Sequence, residues 1–212
     1  MRVFPFCSSA SLEKLTGQKA RNLDELLELV KTCSSSSIFF HTFSAFRKLR
    51  EVHTPYTNDF AVWIARHLSA QALAEKLLAI DLAEYNTIES LRSRIVELLE
   101  SYRSENPSLF ERTATEPFYL YNLVRFVYFT DKFAYNLSSF RQLLDSISID
   151  SIYYHFIESR LETQLQTDDF SNWMQENPDY EELAARIRKI DMNIHTLVEL
   201  RTRIGEIIDE YL

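Results

Sequence analysis

The spacing of apolar positions predicts a chain built mostly from amphipathic helices. Asn22-x-x-Glu25 has the form of a capped helix start, and Leu23, Leu26, Leu27 and Val30 follow at helical spacing, so the first helix is expected over about 23–32. Gly17, and Asp131 further along, suit a turn before such a helix. Ser34 to Ser37 offer caps for a second helix over about 38–52, with Ile38, Phe39, Phe43, Phe46 and Leu49 on its apolar positions. Asn58 and Asp168 would cap short helices bearing Phe60, Trp63, Ile64 and His67, or Phe170, Trp173 and Met174, the latter stopped by Pro178. Ser69 and Asp179 are expected to open the next pair, through Leu73, Leu77 and Ile80 or Leu183, Ile187 and Ile190. Thr87 and Thr196 then cap a last helix in each half, whose stripe in the first half is Ile88, Leu91, Ile95, Leu98 and Tyr102. Residues 2–15 and 116–129, dense in aromatic and β-branched side chains, fit a short strand as readily as a buried helix.

The pattern is written twice. Shifted by 114, residues 16–41 meet 130–155; shifted by 110, 59–81 meet 169–191; shifted by 109, 87–102 meet 196–211. Together these blocks hold 23 identities in 65 pairs, in collinear order, with indels between predicted helices where loops tolerate them. "SSIFFH" and "DSIYYH" become one phrase: a cap, an aromatic first turn and a histidine one turn inside. The expected architecture is therefore mainly α, with two homologous helical halves, 1–106 and 107–212, packed about an approximate two-fold axis like a dimer fused into one chain. Short N-terminal strands in each half are the variant, and "SENPSLFERTATEP" is the linker.

Composition narrows the functions. Two glycines in 212 residues leave no phosphate-cradling loop of the G-x-G-x-x-G or GxxxxGK[ST] kind. The net charge of -8 falls on the second half, and no Lys/Arg-rich run supplies the cations that displace counterions from nucleic acid. The most apolar window, "FYLYNLVRFVYF", contains Arg125 and is short of a membrane span. Cys7 and Cys33 are too few for a disulfide framework or a zinc site, and they read as buried, inert thiols. "MRVFPFCSSA" lacks the long apolar core of a secretory signal. A soluble cytoplasmic protein follows, with no nucleic-acid or membrane partner, no metal and no cofactor.

His41 and His155 raise the question of a duplicated site, yet no HExxH and no His/Cys cluster accompanies either. His53 and His67 occur only in the first half and His195 only in the second. A histidine that caps or hydrogen-bonds inside an aromatic core explains the pair better than a base or ligand. "DFxxW" recurs as Asp59, Phe60, Trp63 and as Asp169, Phe170, Trp173, where a carboxylate near a helix N-terminus and two aromatic anchors suffice. Arg92, Arg94 and Glu97, repeated as Arg201, Arg203 and Glu206, could clamp an anion, but Arg94 and Glu97 sit at i, i+3 and read as a solvated pair. No nucleophile motif and no catalytic set stands out.

"TGQKARNLDELL", "SSIFFHTF", "NDFAVWI" and "AIDLAEYNTIESLRSRIVELLE", echoed by "SIYYHF", "DDFSNWM" and "KIDMNIHTL", resemble a family of small bacterial and archaeal proteins known only as a domain of unknown function. That resemblance implies a soluble, mainly helical domain and an association with carbohydrate-active enzymes, and transfers no catalytic residue. Two functions are expected to compete. The first is a non-enzymatic protein-interaction or regulatory module, favoured by the aromatic surplus at 118–135, which could mark where halves or subunits meet. The second is a small-molecule, carbohydrate-related site around His41, Asp59, Trp63 and Arg92, or His155, Asp169, Trp173 and Arg201. In a variant of the second, only the neutral half keeps the site.

Overall fold

A computed structural model describes residues 2–48, 58–85, 87–162, 167–191 and 196–212. The regions that read equally as strand or helix are strand, and much longer than expected. β1 runs Phe4–Ala20 and β2 Phe118–Ala134, each of 17 residues, and the two pair in an antiparallel two-stranded sheet. Thr16 Oγ1 donates to the Leu120 carbonyl (2.8 Å) and Thr130 Oγ1 to that of Phe6 (2.7 Å), which fixes the register at both ends of the ribbon.

These strands overturn the mainly α architecture of two helical halves. The physical reason lies in the alternation: Phe4, Phe6 and Ser8, like Phe118 and Leu120, are buried at every second position, the period of a strand with one face on a core. The mostly polar remainder of β1 and the largely exposed remainder of β2 carry no such period, and they extend because each has the other strand to bond. Gly17 (φ +84°) and Asp131 (φ +58°) lie inside the strands rather than in turns before helices, and both take left-handed backbone.

The chain forms two compact units, and each takes part of β1 and part of β2. One combines mainly Met1–Ala10 with Arg125–Leu212, the other mainly Ser11–Ala45 with Thr54–Val124. The second contains α1 (Leu23–Thr32), α2 (Ser35–Lys48), α3 (Asp59–Leu68), α4 (Gln71–Leu78), α5 (Ile88–Glu105) and the short α6 (Pro107–Phe110). Asn22, Asn58 and Thr87 cap α1, α3 and α5 as the sequence predicts. The expected start at Ser69 is instead the left-handed end of α3, and α4 begins at Gln71 without a side-chain cap. The expected continuation of α2 to 52 lies outside the described residues. Leu23, Leu26, Leu27, Val30, Phe60, Ile64, Leu73, Leu91 and Ile95 fill the core of this unit.

The other unit contains α7 (Leu137–Leu144), α8 (Ile149–Tyr153), a π-helical turn Tyr154–Glu158, α9 (Ser159–Glu162), α10 (Asp169–Gln175), α11 (Glu181–Arg188) and α12 (Leu197–Asp209). Asp168 caps α10, which ends before Pro178; Asp179 sits in a 3-10 turn, and α11 starts two residues later. Thr196 and Glu199 close a reciprocal capping box on α12. Gly205 allows close approach here, because a Cβ would meet the Arg141 guanidinium carbon at 3.3 Å while Arg141 holds Asp209 at 2.8 Å. Among the described residues no helix is long and apolar enough to cross a membrane.

A Cβ at Gly17 would meet nothing within 4 Å, so any cost of adding one is purely backbone. Gly17→Ala should therefore destabilise the protein by about 1–2 kcal/mol in urea denaturation, whereas Asp131→Gly should be neutral or stabilising.

Candidate functional site

The recurring phrase seats the outer edge of a strand. In the unit of α1–α6, α2 begins beneath β2 and its first turn bonds the strand with hydroxyls. Ser36 Oγ donates to the Leu123 carbonyl (2.7 Å) and accepts from its amide (3.0 Å), while Ser34 and Ser37 both donate to Asn122 Oδ1. One turn inside, His41 Nε2 accepts the Tyr121 amide (3.0 Å) and its Nδ1 donates to Asp59 Oδ2 (3.0 Å). His41 is 3% exposed, with the Phe118 ring at 4.7 Å and Phe60 at 5.3 Å. Asp59 is placed by the Asn58 cap in the first turn of α3, where the helix dipole favours a carboxylate. One turn on, Trp63 Nε1 donates to the Glu116 carbonyl at 2.7 Å and lies edge-on to Phe118.

The unit of α7–α12 repeats these bonds on β1. Ser151 Oγ donates to the Cys7 carbonyl (2.5 Å), and Ser8 and Ser148 hydroxyls meet at 3.2 Å. His155 Nε2 accepts the Cys7 amide (2.8 Å) and Nδ1 donates to Asp169 Oδ2 (2.7 Å). Trp173 Nε1 donates to the Arg2 carbonyl at 2.6 Å. Phe4 stands where Phe118 stood, its ring 4.9 Å from His155 and 5.5 Å from Trp173.

This geometry determines what the imidazoles can do. A ring nitrogen that accepts a backbone N–H carries no proton and offers no lone pair to a substrate, so each Nε2 is occupied and each Nδ1 holds the proton it gives to aspartate. Histidine, aspartate and tryptophan come together in both units, on a strand rather than around an open acid–base centre. Arg92 is bound elsewhere: Nη1 donates to the Val30 carbonyl at 2.6 Å and Nε to Glu89 at 2.9 Å, tying α5 to the end of α1. Arg201 is half-buried on α12. Arg94–Glu97 (2.9 Å) and Arg203–Glu206 (3.0 Å) are the expected exposed pairs. His67 Nδ1 lies 2.9 Å from Thr115 Oγ1, and His53 and His195 fall outside the described residues.

Cys33 is buried as expected, but Cys7 is only half-buried. Burial, and next the charge of Asp169, pushes the Cys7 thiol up; burial does the same to Cys33. Beside Cys7 a cavity of about 330 Å³ reaches Asp169 and Trp173. The other unit has a groove of about 750 Å³ between α4 and α5, where Lys76 and Arg94 alternate with Asp81 and Glu97. Among the described residues no three His, Cys, Asp or Glu side chains are grouped to hold a metal ion.

The profile of a family of unknown function (DUF5752) matches residues 1–209. The structure of OrfY from Thermoproteus tenax is similar, at 29% identity and a TM-score of 0.86, covering 99% of this chain and 95% of that one. No curated protein matches the chain.

His41→Ala and His155→Ala should each cost about 2–3 kcal/mol in urea denaturation, because each orphans a strand amide and a carboxylate. A histidine acting only in catalysis would leave stability unchanged. Iodoacetamide should alkylate Cys7 several-fold more slowly than a free thiol at pH 8, and its pH profile should be displaced upward, because a raised pKa leaves less thiolate at any pH.

Proposed function

The chain belongs to DUF5752, a family of unknown function, and for it we propose a non-enzymatic interaction module that takes up an extended segment of a partner protein along β2. The observation that carries this is the run Phe126 (54% exposed), Val127 (47%), Tyr128 (52%) and Phe129 (67%), four consecutive large apolar side chains in water. In a strand they alternate, Phe126 and Tyr128 on one face and Val127 and Phe129 on the other. Such a patch is the mark of an interaction surface rather than of scattered surface residues.

Backbone geometry supports the mode of docking. Among the described residues the sheet has two strands, so each keeps one edge that pairs with no other strand. On β2 that edge is taken at Tyr121 and Leu123 by His41 and Ser36, and by the alternation of an antiparallel strand it continues through Val127 and Phe129. A long apolar edge of this kind is a template for strand addition, in which main-chain bonds give affinity and the side chains on either face give selectivity. Histidines occupied on both ring nitrogens favour this reading over an enzymatic one. The free thiols Cys7 and Cys33 fit a reducing, cytoplasmic setting. The common offset of 114 between β1 and β2, and between His41 and His155, supports reading 1–106 and 107–212 as sequence repeats.

Sedimentation of the purified chain, then parallel affinity capture with wild type and Phe126→Ser/Phe129→Ser, tests the reading. The expected result is a chain that does not self-associate through β2, a partner lost in the double variant, and amide hydrogen exchange slowed at Val127 and Phe129 in the recovered complex. A partner that ignores the substitutions, or a dimer that they dissociate, would contradict it.

A further inference from the structure

The two histidine sites differ in the space beside them. In the unit of α7–α12 a cavity of about 330 Å³ opens next to the strand, walled by Cys7, Tyr154, Asp169, Asn172, Trp173 and Glu176. Cys7 is a small residue in its lining. At the offset of 114, the matching position is the much larger Tyr121, whose ring lies 5.6 Å from Phe40 and 6.3 Å from His41. At the offset of 110, Val62 stands for Asn172 and Arg66 for Glu176, so the other unit loses an amide and exchanges a carboxylate for a cation.

The lining has a definite chemistry. Asp169 gives only Oδ2 to His155, and its side chain is 29% exposed. Glu176 adds a second carboxylate, which accepts from the Arg2 amide, and the Arg2 guanidinium lies 4.0 Å away with its side chain 89% in solvent. The Cys7 thiol and the Tyr154 phenol are both held protonated, by burial first and then by the charge of Asp169. Of the charged side chains in the lining Asp169 and Glu176 are negative and Arg2 is positive, which leaves a net negative charge, and the aromatic walls of Phe4, Tyr154 and Trp173 tolerate a cation. Volume and polarity suit a head group of a few heavy atoms with a short apolar tail.

We propose that this cavity binds a small primary ammonium compound, its head on the unshared oxygen of Asp169, with Glu176 adding negative charge to the same lining, and its tail along Phe4 and Pro5. The site is separate from the β2 surface and lies in the unit of α7–α12. Asp169 offers the head its unshared oxygen, and the Tyr154 hydroxyl in the same lining is a further acceptor. A neutral molecule of the same shape would leave Asp169 without a cation, whereas Glu176 already has the Arg2 guanidinium at 4.0 Å, and an anion would be repelled by Asp169.

The chain contains two tryptophans, Trp63 and Trp173, so Trp63→Phe leaves Trp173 as the sole reporter in the cavity wall. Titration of this variant with n-butylammonium chloride at constant ionic strength should give a saturable change in emission in the millimolar range, and 1-butanol should give none. Adding Cys7→Tyr, which installs the residue found at the matching position of the other unit, should abolish the change. Glu176→Gln should weaken binding about tenfold, equal to about 1.4 kcal/mol. Glu176 is exposed enough that this variant keeps the fold even if Cys7→Tyr does not. No saturable change, an equal response to 1-butanol, or full affinity in both folded variants would overturn the proposal.

Discussion

A neutral imidazole standing between a carboxylate and a strand amide is the interaction on which this structure depends. A two-stranded ribbon leaves each strand with one edge unpaired by another strand, and a backbone N–H carried into a core without an acceptor costs about as much as a lost hydrogen bond. The first turn of a helix can present hydroxyls to such an edge but reaches only its nearest residues. His41 and His155, one turn further in, extend that reach to Tyr121 and Cys7, and Asp59 and Asp169 hold the rings so that Nε2 is the acceptor. Among the aromatic rings around them are the strand's own Phe118 and Phe4, so the same segment that is bonded by the histidine also helps to shield it.

From this seating the rest follows. Each unit is completed by a segment of β1 and a segment of β2, and its core aromatics interlock with α3 or α10 through Trp63 or Trp173. Each strand is gripped over a few residues only, and β2 runs on into the exposed apolar run at 126–129. The grip also explains why residues of catalytic type need not be catalytic: histidine, aspartate and tryptophan can be brought together to hold a backbone.

Much of the helical layout was legible in the sequence, because caps and apolar periodicity are local. Asn22, Asn58, Thr87, Asp168 and Thr196 are all where their side chains suggest. Ser69 misled because a serine before an apolar run also suits the left-handed end of the preceding helix. The length of the strands is not legible because most of β1 is polar, β2 beyond Leu120 has no buried alternation, and both are held by pairing across more than a hundred residues, which no local pattern encodes. The role of the histidines as core hydrogen-bonders was readable from the lack of ligand companions. Their partners, the amides of Tyr121 and Cys7, were not, since any residue type supplies an N–H. Cys7 was assigned to the core from composition alone, and its place beside a cavity depends on the long-range position of β1.

The most direct test of the account is the nitrogen NMR spectrum of the imidazole rings of His41 and His155, assigned by single substitution, at neutral pH. The seating described above predicts that both rings are the neutral tautomer with the proton on Nδ1, and that Nε2 resonates as an unprotonated acceptor. A ring protonated on Nε2 at either site, as imidazolium or as the opposite tautomer, would mean that it does not accept the strand amide and would contradict the account.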